Sequence, residues 1–171
     1  MMNLIAMRES GQWTGDLANQ KDVTPAHIRA EVWMSICRGA TAIGYFTHVW
    51  KPSYAQFGVP EENRTALRGI NEQITRLTPA ILGSPGKQEV RIEGEGNVKL
   101  DVMVRESGGE VYLFAVNYDE RMKETQAFIH ISGLAAGATV TVLDEDRTIK
   151  AGGGAFEDRF APLAVHVYRL R

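Results

Sequence analysis

The sequence predicts a protein of two parts, an α/β segment followed by an all-β domain. Helix and strand patterns alternate through residues 1–83, whereas the chain beyond residue 87 shows short stretches of alternating apolar and polar residues. Between the two parts lies the sequence Gly83-Ser-Pro-Gly86, which is typical of a linker. We therefore predict one domain at residues 1–83 and a second at residues 84–171.

The composition excludes several classes of protein. The 171 residues are 44% hydrophobic and 23% charged, as in folded globular proteins. A net charge of −2 and a pI near 6.1 provide no basic surface, so nucleic acid is not an expected partner. No apolar run approaches the roughly 18 residues of a membrane span, and residues 1–7 lack the basic start of a secretory signal.

Cysteine and histidine positions give no indication of a metal or cofactor. Cys37 is the single cysteine, so an internal disulfide is excluded. No pair of histidines or carboxylates stands at the spacing of metal ligands. His130 and His166 fall within predicted strands, where we expect packed or surface residues rather than ligands. We predict neither a catalytic metal nor a cofactor.

The chain begins with a predicted short buried strand, residues 2–7, followed by a polar loop broken by glycines. The loop contains Glu9, Trp13 and Asp16. An aromatic ring beside a carboxylate can hold a sugar, because the apolar face of the sugar stacks on the ring while its hydroxyls bond to the carboxylate. Two alternatives remain open, namely that Trp13 closes the loop over the core and that Glu9 is a salt-bridged surface residue.

A helix and a second strand follow. Apolar and small residues at positions 28, 32, 35 and 36 recur at helical spacing. Thr24 can cap this helix, Pro25 suits its first position, and Gly39 is a typical stop, which predicts a helix over residues 25–38. The apolar run at residues 40–46 lacks alternation and predicts a parallel strand that is covered on both faces.

Aromatic residues cluster where this second strand ends. Chemistry in βα folds is placed at the C-terminal ends of the strands, so the cluster predicts a ligand site. Its candidate residues are Tyr45, His48, Trp50 and Tyr54. The competing interpretation is plain packing for Trp50 and a structural role for His48.

The rest of the chain predicts one more helix and then strands. Acidic residues after Pro60 favour a helix start, and Pro79 indicates an end between Leu77 and Leu82. Beyond it, about six to eight short strands predict a β-sandwich. They are expected at residues 88–93, 98–105, 110–117, 123–132, 138–143 and 163–170, with Phe156, Asp158 and Phe160 directing a further return strand.

The order of these pieces resembles a known enzyme family. The sequence EVWMSICRGATAIGYFTHVWKP (residues 31–52) resembles the last helix and strand of the (β/α)8 barrels of clan A glycoside hydrolases, in particular β-galactosidase-like and agarase-like members. The sequence NEQITRLTPAIL (71–82) resembles their final barrel helix. The sequences EVYLFAVNYDE (110–120) and FEDRFAPLAVHVYRL (156–170) resemble their C-terminal β-sandwich.

The resemblance implies a fold and an activity. The fold would be a partial (β/α)8 barrel of about two βα units followed by an antiparallel β-sandwich, and the activity would be hydrolysis of glycosidic bonds in an oligo- or polysaccharide. Clan A enzymes carry a nucleophilic glutamate on the seventh strand, which corresponds to Glu9, and a tryptophan sugar platform on the eighth, which corresponds to Trp50. Their acid/base lies on the fourth strand, which this chain does not contain. Hydrolysis therefore needs a second carboxylate, such as Asp16 or Glu61, or one from a neighbouring chain.

Two expectations follow for partners. The alternative to an enzyme is a non-catalytic module that binds carbohydrate or supports a larger enzyme. Since two parallel strands leave an open sheet edge, we also expect a homo-oligomer if the chain is complete.

Overall fold

The computed structural model describes residues 2–6, 23–48, 53–119 and 121–171. Four of the predicted site residues, Glu9, Trp13, Asp16 and Trp50, lie outside this part of the chain. The chain forms two compact units, Met1–Gln73 and Ile74–Arg171. The domain boundary that we place after residue 83 stays a prediction.

The first unit contains a parallel pair of strands. Strand β1 (Met2–Ala6) pairs with β2 (Ala42–Phe46), and Leu4 lies opposite Gly44. Because adjacent parallel strands need a crossover connection, the helix between them in sequence, α1 (Pro25–Cys37), fulfils the role predicted for it. The parallel orientation expected from the apolar run is confirmed.

Helix α1 begins and ends as the sequence predicts. Oγ1 of Thr24 accepts a hydrogen bond from the backbone N–H of His27 (3.4 Å), and Pro25 follows in the first turn. The end is set by Gly39, whose φ of +88° lies in the left-handed region and whose N–H donates to the carbonyl of Ile36 (2.9 Å). Burial extends beyond the predicted stripe and includes Trp33. The helix is thus buried over a broad face, as suits one that packs on a sheet.

Helix α2 (Glu61–Ile81) belongs to both units, because the division falls between Gln73 and Ile74. Its end lies within the predicted interval. Pro79 lies in the last turn, where the loss of one backbone N–H interrupts little of the helix.

The second unit consists of two antiparallel sheets. Their strands are β3 (Ser84–Pro85), β4 (Val90–Gly94), β5 (Leu100–Ser107), β6 (Glu110–Asn117), β7 (Thr125–Ile131), β8 (Thr139–Val142), β9 (Arg147–Lys150), β10 (Ala155–Phe160) and β11 (Val165–Leu170). A six-stranded sheet has the order β3-β5-β6-β11-β8-β9, and a three-stranded sheet has the order β10-β7-β4.

One hydrophobic core contains residues of both sheets. Leu113 and Tyr168 come from the larger sheet, and Ile129, Phe156 and Phe160 come from the smaller one. All five are almost completely buried. The second half of the chain is therefore the β-rich domain that the period-two pattern predicts.

The sequence prediction differs from the structure at the linker and at β9. Ser84 and Pro85 pair with Glu106 and Arg105 of β5, so the predicted linker contains an edge strand. Gly83, directly before this strand, allows the two backbones to lie close together, because a Cβ at this position would lie 2.4 Å from the carbonyl oxygen of Glu106. Strand β9 is missed because its four residues, Arg147–Lys150, are mostly polar.

No helix in the described part of the chain combines the length and the apolar character of a membrane span.

Candidate functional site

The candidate site lies at the C-terminal end of β2, where the chain leaves the strand and a loop returns to it. The N–H of Gly58 donates to the carbonyl of Thr47 (3.1 Å), and the Thr47 hydroxyl donates to the carbonyl of Gln56 (3.3 Å). These two bonds hold residues 53–58 against the end of the strand. The loop therefore has a defined backbone beside the predicted ligand site.

The structure brings together two of the predicted site residues, His48 and Tyr54. The Tyr54 hydroxyl lies 3.2 Å from Nδ1 of His48, and the two rings are nearly parallel, at 14°, with centroids 6.0 Å apart. When the phenol O–H donates to Nδ1, the imidazole proton resides on Nε2, which then becomes a donor. The pair thus combines an exposed aromatic ring with a polar imidazole at the end of β2.

The aromatic surface is open to solvent. Tyr54 is 57% exposed and Phe57, three positions later in the same loop, is 77% exposed. Tyr54 is among the site residues predicted from the sequence and Phe57 is not, because a single phenylalanine near the end of a loop is usually a core residue. Its position within the same loop as Tyr54 was the signal available.

Tyr45 bonds to the neighbouring helix, and its predicted role in ligand binding stays a prediction. Its hydroxyl donates to Oδ1 of Asn71 on α2 (2.9 Å), and its side chain is half-buried. Burial raises the pKa of the Tyr45 hydroxyl, which therefore stays protonated as a donor. We infer that Tyr45 fixes the end of β2 against α2 and positions the residues that follow it.

The carboxylates of the predicted chemistry are only partly described. Glu9 and Asp16 lie outside the described residues, as do Trp13 and Trp50, so their roles stay predictions. Glu61 is the one candidate carboxylate that the structure describes. Its side chain is exposed at the start of α2 and forms an ion pair with Arg64. It has the environment of a surface residue rather than that of a catalytic acid.

A second polar cluster lies in the β-rich unit, around the buried side chains of Asp158 and Tyr168. Arg147 donates two hydrogen bonds to the carboxylate of Asp158 (2.8 and 2.8 Å), and the Tyr168 hydroxyl donates a third (2.8 Å). Glu145 bridges Arg147 and His166, at 2.8 and 2.5 Å. His166 is therefore a packed residue, whereas His130 on β7 is exposed.

The cluster is explained by burial and charge balance. Burial alone raises the pKa of Asp158, but the hydrogen bonds from Arg147 and Tyr168 outweigh it and bring that pKa below its usual value. Burial, followed by the charge of Asp158, raises the pKa of the Tyr168 hydroxyl well above its ordinary range. Every polar group of the cluster thus has a partner, which points to a structural role.

Metal binding finds no support in the described ranges, where no three His, Cys, Asp or Glu side chains are grouped closely enough to hold an ion.

Comparison with solved structures identifies proteins of similar fold. An α-amylase from Geobacillus thermoleovorans complexed with acarbose matches 100% of this chain and 39% of its own, with a TM-score of 0.65 and 13% identity. An Anoxybacillus α-amylase matches 99% of this chain and 37% of its own, with a TM-score of 0.63 and 12% identity. An α-fucosidase from Thermotoga maritima in complex with fucose matches 99% of this chain and 39% of its own, with a TM-score of 0.53 and 14% identity.

These matches define the fold at a coarse level. The chain spans 37–39% of the length of the three structures, and identities of 12–14% show a shared fold only. No protein-family model and no curated protein matches the sequence. The chain therefore has a fold related to that of glycoside hydrolases.

Proposed function

We propose that this chain is the C-terminal portion of a (β/α)8-barrel glycoside hydrolase, comprising the last two βα units and the β-sandwich that follows them. Its ligand is an oligo- or polysaccharide, and its reaction is hydrolysis of a glycosidic bond. The observation that carries the proposal is the parallel pair β1–β2 with His48 and Tyr54 meeting at the C-terminal end of β2. The fold shared with α-amylases and an α-fucosidase supports it.

We assign a catalytic or a sugar-binding role to each candidate residue. We assign Glu9 as the nucleophile and Trp13, Asp16 and Trp50 to sugar binding, following the resemblance to clan A enzymes. Tyr54 supplies an aromatic face and His48 a hydrogen bond to a sugar hydroxyl. The solved structures of similar fold are named as other glycosidases, so the assignment of Glu9 depends on the clan A resemblance alone.

Hydrolysis requires a second carboxyl group. A retaining glycosidase places its two carboxyl groups about 5 to 5.5 Å apart, one as nucleophile and one as acid/base. Since Glu61 is exposed and paired with Arg64, the remaining sources are Asp16 and another stretch of polypeptide, either the rest of a barrel or a neighbouring copy. A neighbouring copy would also cover the open edges of β1 and β2, which in the described residues pair only with each other.

The test compares turnover and binding in matched variants. Wild type, Glu9→Gln and the control Glu93→Gln, at an exposed position of β4, are incubated with maltohexaose and with an agarose-derived hexasaccharide. Release of reducing ends and binding by calorimetry are both measured. We expect Glu9→Gln to lose turnover while it retains binding, and Glu93→Gln to behave as wild type. If the wild-type protein binds neither sugar, the proposal is contradicted.

The alternative is a non-catalytic module that binds carbohydrate or supports a larger enzyme. The observation in its favour is the coverage of only 37–39% of the matched glycosidase chains. Wild type that binds a hexasaccharide without turnover, with Glu9→Gln binding equally well, would establish the module.

The proposed homo-oligomer is tested by measuring the molar mass of the protein in solution. If a second copy covers the β1–β2 edges, light scattering at micromolar concentration gives a multiple of the 18.9 kDa chain mass. A mass equal to one chain removes this part of the proposal.

A further inference from the structure

Phe57 is the most exposed large hydrophobic side chain in the described part of the molecule. It is 77% exposed, compared with 57% for Tyr54 and 37% for Phe128 on β7. Such exposure is unfavourable in water, because a phenyl ring gains free energy when it is removed from solvent. A single exposed ring is common on protein surfaces, but Phe57 stands three positions from a second exposed ring, Tyr54, so the two rings together are a candidate contact for a ligand.

The loop presents this ring on a fixed backbone. The residues on either side of Phe57 both bond to Thr47, Gln56 through its carbonyl (3.3 Å) and Gly58 through its N–H (3.1 Å). Tyr54, in turn, is held by His48 (3.2 Å). Three residues of chain span at most about 11 Å, so both rings fall within reach of one extended ligand.

The surroundings of the two rings favour an amphiphilic ligand. Ser53, Gln56 and Glu61 are exposed polar residues in the same stretch of chain, so the apolar surface is narrow. A stable interface between proteins has a larger apolar centre than two isolated rings provide. A pyranose ring fits better, because it offers an apolar face to each aromatic ring and hydroxyls to the polar residues around it.

We propose that Phe57 and Tyr54 form two adjacent aromatic subsites that bind successive rings of one oligosaccharide chain. This inference rests on the proposed function and goes beyond it by specifying the ligand: an oligosaccharide of several units rather than a monosaccharide. Tyr54, beside the hydrogen-bonding His48, holds one ring. Phe57 holds a further ring by stacking alone, so it selects for ligand length.

The test separates long from short ligands. Binding of maltohexaose, of an agarose-derived hexasaccharide, and of the corresponding monosaccharides glucose and galactose is measured by calorimetry or by ligand-detected NMR. Phe57→Ala is expected to weaken binding of the recognised hexasaccharide about ten-fold, the loss of one stacked ring, and to leave monosaccharide binding unchanged. Phe57→Trp retains a ring and is expected to bind as tightly as wild type or more tightly.

Phe128→Ala is the matched control, because Phe128 is also an exposed phenylalanine but belongs to the β-rich unit. It should bind the hexasaccharide as wild type does. Folding of each variant is checked by circular dichroism, and the exposed position of Phe57 makes misfolding an unexpected result.

Three outcomes would overturn the inference, and they are distinguishable. If wild type binds no sugar, the proposed function fails together with the inference. If wild type binds the hexasaccharide and Phe57→Ala binds it equally well, the inference fails while the proposed function stands. If Phe57→Ala leaves sugar binding intact and converts an oligomer into a monomer, the ring belongs to an interface between copies.

Discussion

The two units of the chain differ in where they place their polar and aromatic groups. In Ile74–Arg171, two antiparallel sheets enclose a core, and even the buried carboxylate of Asp158 accepts four hydrogen bonds, two from Arg147, one from the Tyr168 hydroxyl and one from the backbone N–H of Arg159. In the described residues of Met1–Gln73, one parallel strand pair is followed by a loop whose aromatic side chains face solvent. The comparison teaches that the β-rich unit encloses its polar groups in a network of mutual hydrogen bonds, whereas the first unit leaves aromatic rings exposed, where we propose that a ligand binds.

The largest expected effect comes from removal of the buried carboxylate. Asp158→Ala removes the acceptor that the Arg147 guanidinium and the buried Tyr168 hydroxyl share. Because the Arg147 side chain is 34% exposed and keeps its ion pair with Glu145, we expect a loss of about 3 kcal/mol, the lower end of the range for a broken buried ion pair. Chemical denaturation followed by circular dichroism should show this loss.

The control is Glu93→Ala, which removes the partner of Arg91 from an exposed ion pair on β4. An exposed pair contributes at most about 1 kcal/mol. Equal losses for the Asp158 and Glu93 variants would contradict the assignment of stability to the buried cluster.

The same carboxylate predicts an acid sensitivity of the β-rich unit. The pKa of Asp158 is lowered in the folded protein, so the unfolded chain binds its proton more readily. The stabilisation is fully present above the unfolded pKa of about 4 and is lost as the pH falls toward the folded pKa. In urea denaturation across this range, Asp158→Asn should show a shallower decline of the unfolding free energy than wild type. Parallel curves would contradict the prediction.

A smaller effect is expected at Tyr168. Tyr168→Phe keeps the buried ring but removes the hydroxyl that donates to Asp158 (2.8 Å). A hydrogen bond to a charged group contributes roughly 2 kcal/mol, and Arg147 still satisfies the carboxylate. A loss as large as that of Asp158→Ala would mean that the ring packing, and not the hydroxyl, is affected.

The smallest predicted effect lies in the first unit. Thr24→Ala removes the side-chain cap of α1, which costs about 1 kcal/mol. Hydrogen exchange should report faster opening of α1 amides, with the strands of the β-rich core little changed. Thr148→Ala, at an exposed position of β9, is the control and should alter neither. If Thr24→Ala accelerates amide exchange equally in α1 and in β6, the two units do not respond separately to the loss of the cap, and the contrast between them is contradicted.

The sequence was sufficient for much of the fold, because local signals agree there with the final packing. Thr24, Pro25 and Gly39 mark the limits of α1, and the period-two pattern locates most of the β-rich unit. Strand β9 was missed, since it pairs only with β8 at the edge of its sheet and therefore lacks the apolar pattern of a central strand.

The site was less predictable than the fold. Proximity to a strand end selected His48 and Tyr54, which the structure brings into contact, and Tyr45, whose hydroxyl bonds to Asn71. Sequence position does not reveal which way a side chain at a strand end points, and the binding roles of all three residues stay predictions. The Asp158 cluster was invisible for a related reason, since its members are brought together by three different strands and a turn.

The central claim is that carbohydrate binds at the C-terminal end of β2. The most direct test is an NMR titration of the wild-type protein with maltohexaose or with an agarose-derived hexasaccharide. The chemical shifts of the His48 and Tyr54 ring signals are followed as the sugar is added. We predict that both rings shift together and saturate with one of these sugars, while the ring of Tyr168 in the β-rich core does not respond. Saturable binding that leaves the His48 and Tyr54 signals unchanged would place the sugar elsewhere and contradict the account.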